Sequence, residues 1–306
     1  MEEKITTDDR LLIMLDLDGT TLANSDTCEI HPKTLAAIKK AKDAGHVICI
    51  LTGRPWRSSK QVYQELELDT IIANYNGAQI HNPSDENFTP QISFLNLNEV
   101  LYILGDERIK KEVTNIAIEG PGWVQLQQND PKLEKVFGFS KLTKFKVGLD
   151  YHRLPLRPTG VIFDVRPETD PIALQKYMRN KFGDLAEFSY WSKGDNEPPA
   201  FDIASPSVDK GKVVSLLMRY YDIAWERTVA IGDSFNDVPM FKVANVSVTM
   251  ANANRDIQYK AAINLDKRNY EGGVGEYLEK LMENPEAEIE KALKWHQKNR
   301  EKRSKW

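Results

Sequence analysis

The sequence predicts an α/β protein, a doubly wound parallel sheet interrupted by an inserted α+β unit. Three observations carry this. Strand-like and helix-like segments alternate through the first 80 residues, the alternation resumes after residue 206, and residues 85–205 between them are patterned differently. The 306 residues have room for two such units.

Leu11–Asp18 is a short, nearly continuous apolar run, as expected of a parallel strand covered on both faces. His31-Pro32 opens a helix with proline in its first turn. Leu35, Ile38 and Ala41 give that helix an apolar face, and Gly45 stops it. Val47–Leu51 is a second buried strand, Pro55 to about Leu66 a second helix, and Thr70–Tyr75 a third strand. This order implies right-handed crossovers in a parallel sheet.

Beyond Gly77 the candidate strands are Ile116–Glu119, Val136–Ser140, Val161–Arg166, Glu187–Trp191 and Phe201–Ala204, with one helix over Pro171–Phe182. Mixed strands with few helices suggest an antiparallel sheet. The closing segment gives helix Lys210–Tyr221, strand Thr228–Ile231, helix Phe235–Val243, strands Val246–Met250 and Ala262–Leu265, and helix Val274–Met282. The expected organisation is a core of residues 1–84 and 206–306, with 85–205 as the insertion. The crossings are expected near His81–Asp85 and Ser205–Val208.

Composition narrows the function classes. Hydrophobic residues make up 41% and charged residues 28%, which excludes a disordered chain. A net charge of -4 gives no argument for nucleic acid or a membrane surface. Cys28 and Cys49 are too few for a disulfide framework and read as reduced thiols. The acidic start lacks a signal-peptide pattern, and the longest apolar runs, five residues, fall short of the roughly 20 a membrane span needs. A cytoplasmic protein is expected. Lys291–Trp306 holds seven Lys/Arg against one Glu and reads as a solvated helix with a frayed end rather than a partner-binding tail.

Four short segments fall where an open α/β sheet places its active site, past the carboxyl ends of its strands. Asp16-Leu17-Asp18-Gly19-Thr20 closes the first strand, and residues i and i+2 of a strand share a face. Two converging carboxylates repel unless a proton or cation bridges them, which makes Mg²⁺ a natural partner. Thr52-Gly53-Arg54 closes the second strand with a hydroxyl and free N–H groups suited to a phosphate oxygen. Asp209-Lys210-Gly211-Lys212 opens a helix, where a lysine opposes the macrodipole unless anions lie over it. Gly232-Asp233-Ser234-Phe235-Asn236-Asp237 adds two carboxylates at a strand-to-helix turn. Singly, each is an ordinary strand end or cap. Their order is the specific signal.

That order, DLDGT, LTGR, DKGK and GDSFND, resembles the haloacid dehalogenase (HAD) superfamily of phosphohydrolases. An insertion between the second and third motifs (158 positions separate Thr52 from Lys210), together with Asn74-Tyr75-Asn76-Gly77-Ala78, resembles subclass IIB, the Cof-type sugar phosphatases. The resemblance implies a Mg²⁺-dependent phosphatase of small phosphorylated metabolites, sugar phosphates first. It implies Asp16 as nucleophile, Asp18 as general acid and then base, and Lys210 as neutraliser of the phosphoryl group. Thr52, Gly53 and Arg54 would hold the phosphate with Asn236. Asp16, Asp18 through its carbonyl, Asp233 and Asp237 would complete the metal site.

A phosphomutase of the phosphomannomutase type is the nearest alternative. A non-catalytic binding module is the third, against which the intact motifs argue. Asp164, Gly272-Gly273-Val274-Gly275 and the five histidines lack the spacing of a second site. The insertion is expected to act as a mobile cap that selects the substrate, with Arg153, Arg157, Trp191 and Lys193 as candidate readers, each of which also has an ordinary surface role.

Overall fold

The first apolar run forms β1 (Leu12–Leu15), every residue of which is buried. Its side chains alternate between two cores, so both faces of the strand must be covered and both must be apolar. The computed structural model describes residues 9–139, 144–191 and 198–303.

Around β1 the chain builds β4 (Val47–Leu51) and β5 (Ile72–Asn74) on one side, and β14 (Thr228–Gly232), β15 (Val246–Thr249) and β16 (Ile263–Asn264) on the other. All six strands are parallel. The hairpin strands β6 (Gln79–His81) and β7 (Gln91–Ile92) extend the sheet antiparallel beyond β5, and β2 (Leu22–Asn24) and β3 (Glu29–Ile30) form a separate antiparallel pair. Ile13, Leu15, Ile48 and Ile50 pack against α1 (Pro32–Asp43), α2 (Trp56–Glu65) and α10 (Gly273–Glu283). Leu12, Met14, Cys49 and Leu51 pack on the other face against α7 (Lys210–Tyr221), α8 (Val238–Val243) and α9 (Arg255–Gln258). The chain order reverses between β1 and β14, the switch point at which doubly wound sheets bind ligands.

The inserted residues form a second sheet. Its order is β10 (Lys144–Val147), β9 (Trp123–Leu126), β8 (Val113–Gly120), β11 (Gly160–Val165), β13 (Ala200–Ala204) and β12 (Glu187–Trp191). It is antiparallel except for the β9–β10 pair. One face packs on α3 (Leu97–Leu104), α4 (Glu107–Glu112) and α6 (Pro171–Phe182).

Three expectations are corrected. Among the described residues the insertion holds four helices where the sequence marked one; α3 and α4 start at Asn96 and Asp106, whose side chains accept N-terminal N–H groups. The strand expected at Val136–Ser140 is, over its first residues, the end of helix α5 (Pro131–Phe137). Asp130 caps that helix, and Gly138 ends it in the left-handed conformation; Ser140 lies outside the described residues. The chain leaves the larger sheet later than residue 85: Ser93 N–H still bonds to Ala78 O, whereas Leu95 N–H bonds to Pro158 O of the insertion. Residues 291–303 of the basic terminal stretch are helical, as expected, within α11 (Pro285–Arg303); Lys291, Lys294 and Lys298 are exposed, Ala292 packs on the core, and residues 304–306 lie outside the described residues. No helix among the described residues is long and apolar enough to cross a membrane.

Candidate active site

The four sequence segments meet at the carboxyl end of the parallel sheet. Asp16 follows β1, its N–H bonded to Ile231 O of β14, so two adjacent strands aim the first and fourth segments at one point. The chain then turns sharply at Leu17–Thr21 with Gly19 at φ +70°. Glycine is required there for a second reason: a Cβ would lie 2.3 Å from Asp233 Oδ2. Thr20 Oγ1 donates to Asp233 Oδ1 at 2.9 Å, and Asn252 Nδ2 reaches both Gly19 O (2.8 Å) and Asp233 Oδ2 (3.3 Å). Sequence reasoning assigned neither residue a role, and Asn252 carries no local signal.

Lys210, the first residue of α7, is fully buried. Its Nζ lies 2.5 Å from Asp16 Oδ1 and 2.6 Å from Asp237 Oδ1. The other Asp237 oxygen accepts from the N–H groups of Asp233 (3.0 Å) and Ser234 (2.9 Å). Asp237 is thus engaged by three donors, and it braces the lysine and the loop.

Burial drives the Asp16 carboxyl well above the usual range. Lys210 pulls it back, while Asp237, Asp233 and Asp18 push it further up. Burial, then Asp237, pushes Asp233 up to about 8, against the Thr20 hydrogen bond and Lys210.

Arg54 stands elsewhere than expected. Its Nε and Nη2 donate to the two oxygens of Asp18 at 2.8 and 2.6 Å, and its other bonds go to Ser25 O and Cys28 Sγ. The guanidinium is buried and fully engaged, so it clamps the second aspartate rather than facing a phosphate. Burial raises the Asp18 carboxyl, but Arg54 outweighs it and holds the group below its ordinary value.

Thr52 is buried at the end of β4, and its Oγ1 accepts from Arg54 N–H at 3.1 Å. Asn236 Nδ2 donates to Asn76 Oδ1 at 3.0 Å, and Asn76 Nδ2 donates to Asp202 Oδ2 at 2.9 Å. Asn76, held at φ 56°, therefore links the fourth segment to the insertion. Its Asn-Gly turn was visible in the sequence; its partner in β13 was not.

Of the expected substrate readers, Arg153 is exposed and 3.7 Å from Asp150, and Arg157 lies over the Phe94 ring. Trp191 ends β12, and Lys193 falls outside the described residues. A cavity of about 410 Å³ lined by Leu101, Leu104, Ile109, Ile116 and Tyr151 sits in the insertion and includes none of the motif residues.

The donor set suits a hard divalent cation. Ligand atoms of Asp16, Asp233 and Asp237 lie within 4.8 Å of one another. Four motif carboxylates, Asp16, Asp18, Asp233 and Asp237, face only two motif cations, Lys210 and Arg54. Ionised together, they leave two negative charges in a buried place, and an oxygen-liganded dication offsets them.

A doubly wound sheet with an aspartate pair, a buried lysine and further carboxylates at its switch point defines a phosphoryl-transfer type of α/β protein. The haloacid dehalogenase-like hydrolase family matches residues 13–278, and the chain belongs to that family. A Metamycoplasma hominis protein named as a phosphatase in the upp 3' region is 54% identical over 270 residues, 88% of this chain and 96% of its own. The 5-amino-6-(5-phospho-D-ribitylamino)uracil phosphatase YitU of Bacillus subtilis is 32% identical over 267 residues, 87% of this chain and 96% of its own. Among solved structures, the HAD subclass IIB sugar phosphatase BT4131 superposes with a TM-score of 0.70 at 19% identity, covering 89% of this chain and 98% of its own. The protein is a phosphatase of the HAD superfamily, as the sequence motifs implied.

Proposed function

We propose that the protein hydrolyses phosphate monoesters of small metabolites, sugar phosphates above all, with Mg²⁺ as cofactor and Asp16 as nucleophile. The observation that carries this is the buried Asp16–Lys210 contact inside a cluster of carboxylates that outnumbers its cations. Asp16 and Asp233 would hold the metal with the Asp18 carbonyl, and Mg²⁺ bound there would offset negative charge on the phosphoryl group.

The chain's own residues supply the rest. An Asp16 oxygen attacks phosphorus, the bond to the leaving oxygen breaks, and Asp18, which must first take up a proton from solvent because Arg54 favours its ionised form in the free site, gives that proton to the leaving oxygen. Water then attacks the aspartyl-phosphate, Asp18 takes the water's proton, and phosphate leaves with Asp16 restored. Lys210 keeps Asp16 oriented and ionised. Thr52 and the Gly53 N–H receive the transferred oxygens, and the Arg54 clamp fixes Asp18 in line with its second, proton-accepting role. Monoester hydrolysis is among the slowest uncatalysed reactions, so charge offset and positioning must be shared among several groups.

The insertion acts as a cap over this site. The sugar-phosphate reading is supported by the phosphorylated ribityl group in the substrate name of the B. subtilis relative.

The test is phosphate release from a panel of phosphorylated metabolites with Mg²⁺ and with EDTA, for wild type and Asp16→Asn. Turnover that needs Mg²⁺ and disappears in a folded Asp16→Asn protein is expected. Full activity in EDTA, or in the variant, overturns the mechanism.

A further inference from the structure

Two acids on the face of the cap sheet turned to the core, Glu119 and Asp202, line one pocket and are not used by the phosphoryl chemistry. Glu119 of β8 pairs in register with Gly160 of β11, and Asp202 of β13 pairs with Ile162 of β11. Strand alternation places these residues on one side of the sheet, while Ile118, Val161, Phe163 and Phe201 enter the cap's own core on the other.

Glu119 is fully buried. Its Oε2 is held from the core side by Arg57 and by the Tyr75 hydroxyl at 3.2 Å, whereas its Oε1 has no hydrogen-bond partner among the described residues. Asp202 repeats the pattern: Oδ2 accepts from Ser189 and Asn76, and Oδ1 has no such partner. Both acids line one narrow pocket together with Gly53, Tyr75, Asn76 and Gly160. The pocket therefore runs from the loop that receives the phosphoryl oxygens to two buried carboxylates, each with one oxygen fixed and one open to a donor.

A buried acceptor without a donor is costly, and a carboxylate in a dry pocket repels a further anion. We propose that this pocket takes the organic part of the substrate and that Glu119 Oε1 accepts a hydrogen bond from a hydroxyl there, with Asp202 as the second acceptor. The preferred substrate is then a monoester of a neutral polyol, not one whose leaving group carries a carboxylate or a second phosphate. The inference rests on the phosphatase reading of Asp16 and Asp18. As it stands the pocket has room for little more than a water molecule, so a polyol enters when the cap lifts, a motion that parts Asn76 from Asp202 and Arg57 and Tyr75 from Glu119 until the cap closes again.

Gly160 gives a second handle on the same pocket. A Cβ there would lie 3.7 Å from Tyr75 Cδ1 and 3.9 Å from Ile203 O, an ordinary contact that the fold accommodates. Its methyl group narrows the pocket without touching the Arg57–Glu119 pair.

The experiment measures kcat and KM with Mg²⁺ on ribitol 5-phosphate, phosphoglycolate and acetyl phosphate, for wild type, Glu119→Gln and Gly160→Ala. Sites built to bond a hydroxyl discriminate strongly against analogues without one. Wild type should favour ribitol 5-phosphate over phosphoglycolate by at least about 30-fold in kcat/KM. Glu119→Gln should lower that ratio by about tenfold or more, chiefly through KM for the polyol ester. Gly160→Ala should lower the ribitol 5-phosphate to acetyl phosphate ratio, and it decides alone if Glu119→Gln does not fold. A wild type that prefers phosphoglycolate overturns the proposal. So do variants that depress all three substrates by one factor, which is the signature of cap docking alone. Phosphate release from none of the three, nor from any of the wider panel, defeats the phosphatase reading itself and this inference with it.

Discussion

Lys210 Nζ lies 2.5 Å from Asp16 Oδ1, both side chains buried, although 194 positions separate them in the chain. The lysine also meets Asp237, so one cation holds two acids from different segments at the end of β1. Lys210→Met leaves both carboxylates buried without their counter-ion, a loss of about 3–5 kcal/mol. A fall in Tm on the order of 10 °C is expected in calorimetry, with kcat/KM reduced about a thousandfold or more. Adding Asp237→Asn should recover part of the Tm and none of the activity. A Lys210→Met enzyme within twofold of wild type would remove the lysine from the site.

Arg54→Lys keeps the charge and loses the fork that grips both Asp18 oxygens. Turnover should fall by about 10- to 100-fold with KM little changed, since the residue orients Asp18 rather than holding phosphate. The loss should be larger for alkyl esters than for p-nitrophenyl phosphate, whose leaving group needs less help from a proton donor. An effect confined to KM would restore Arg54 to the phosphate.

Gly19→Ala places a Cβ against Asp233 at a left-handed backbone position. The backbone strain alone costs about 1–2 kcal/mol, and Asp233 must move. We expect the Mg²⁺ concentration for half-maximal activity to rise about tenfold, near 1.4 kcal/mol of binding. Tm measured with saturating Mg²⁺ should fall with it. An unchanged Mg²⁺ requirement would separate Asp233 from the metal.

His46 ties stability to pH. Its Nδ1 accepts the Leu11 N–H at 3.0 Å, and burial, with Arg227 adding to it, pulls the imidazole down to about 4. A depressed histidine binds fewer protons folded than unfolded, so this contribution is intact above the unfolded value near 6.5. It is lost as pH falls from there toward 4, by up to about 1.4 kcal/mol per pH unit. Chemical denaturation of wild type and His46→Gln between pH 7 and 4 should show that leg flattened in the variant. Parallel curves would assign the acid lability to other groups.

The sequence by itself determined the doubly wound sheet and its active end. β1 and β4 are buried on both faces, so their sequences are short continuous apolar runs; Asp16 and Thr52 follow those runs directly, and the 232–237 turn follows β14 in the same way. Lys210 was legible as a cation in the wrong place on a helix. Of the insertion, β8, β11, β12, β13 and helix α6 were legible, whereas α3, α4 and α5 were not, because single Asn and Asp caps are weaker signals than a β-branched run or a long apolar helix face. Only the tertiary structure decided the pairings. Arg54 finds Asp18 between two loops of the larger sheet, and Asn76 finds Asp202 and Arg57 finds Glu119 across the interface between the two sheets, where no local periodicity marks a partner. The physical reason is range. Backbone hydrogen bonding and burial impose a pattern within one element, whereas an ion pair depends on which side chains two separately built layers bring within about 3 Å of each other.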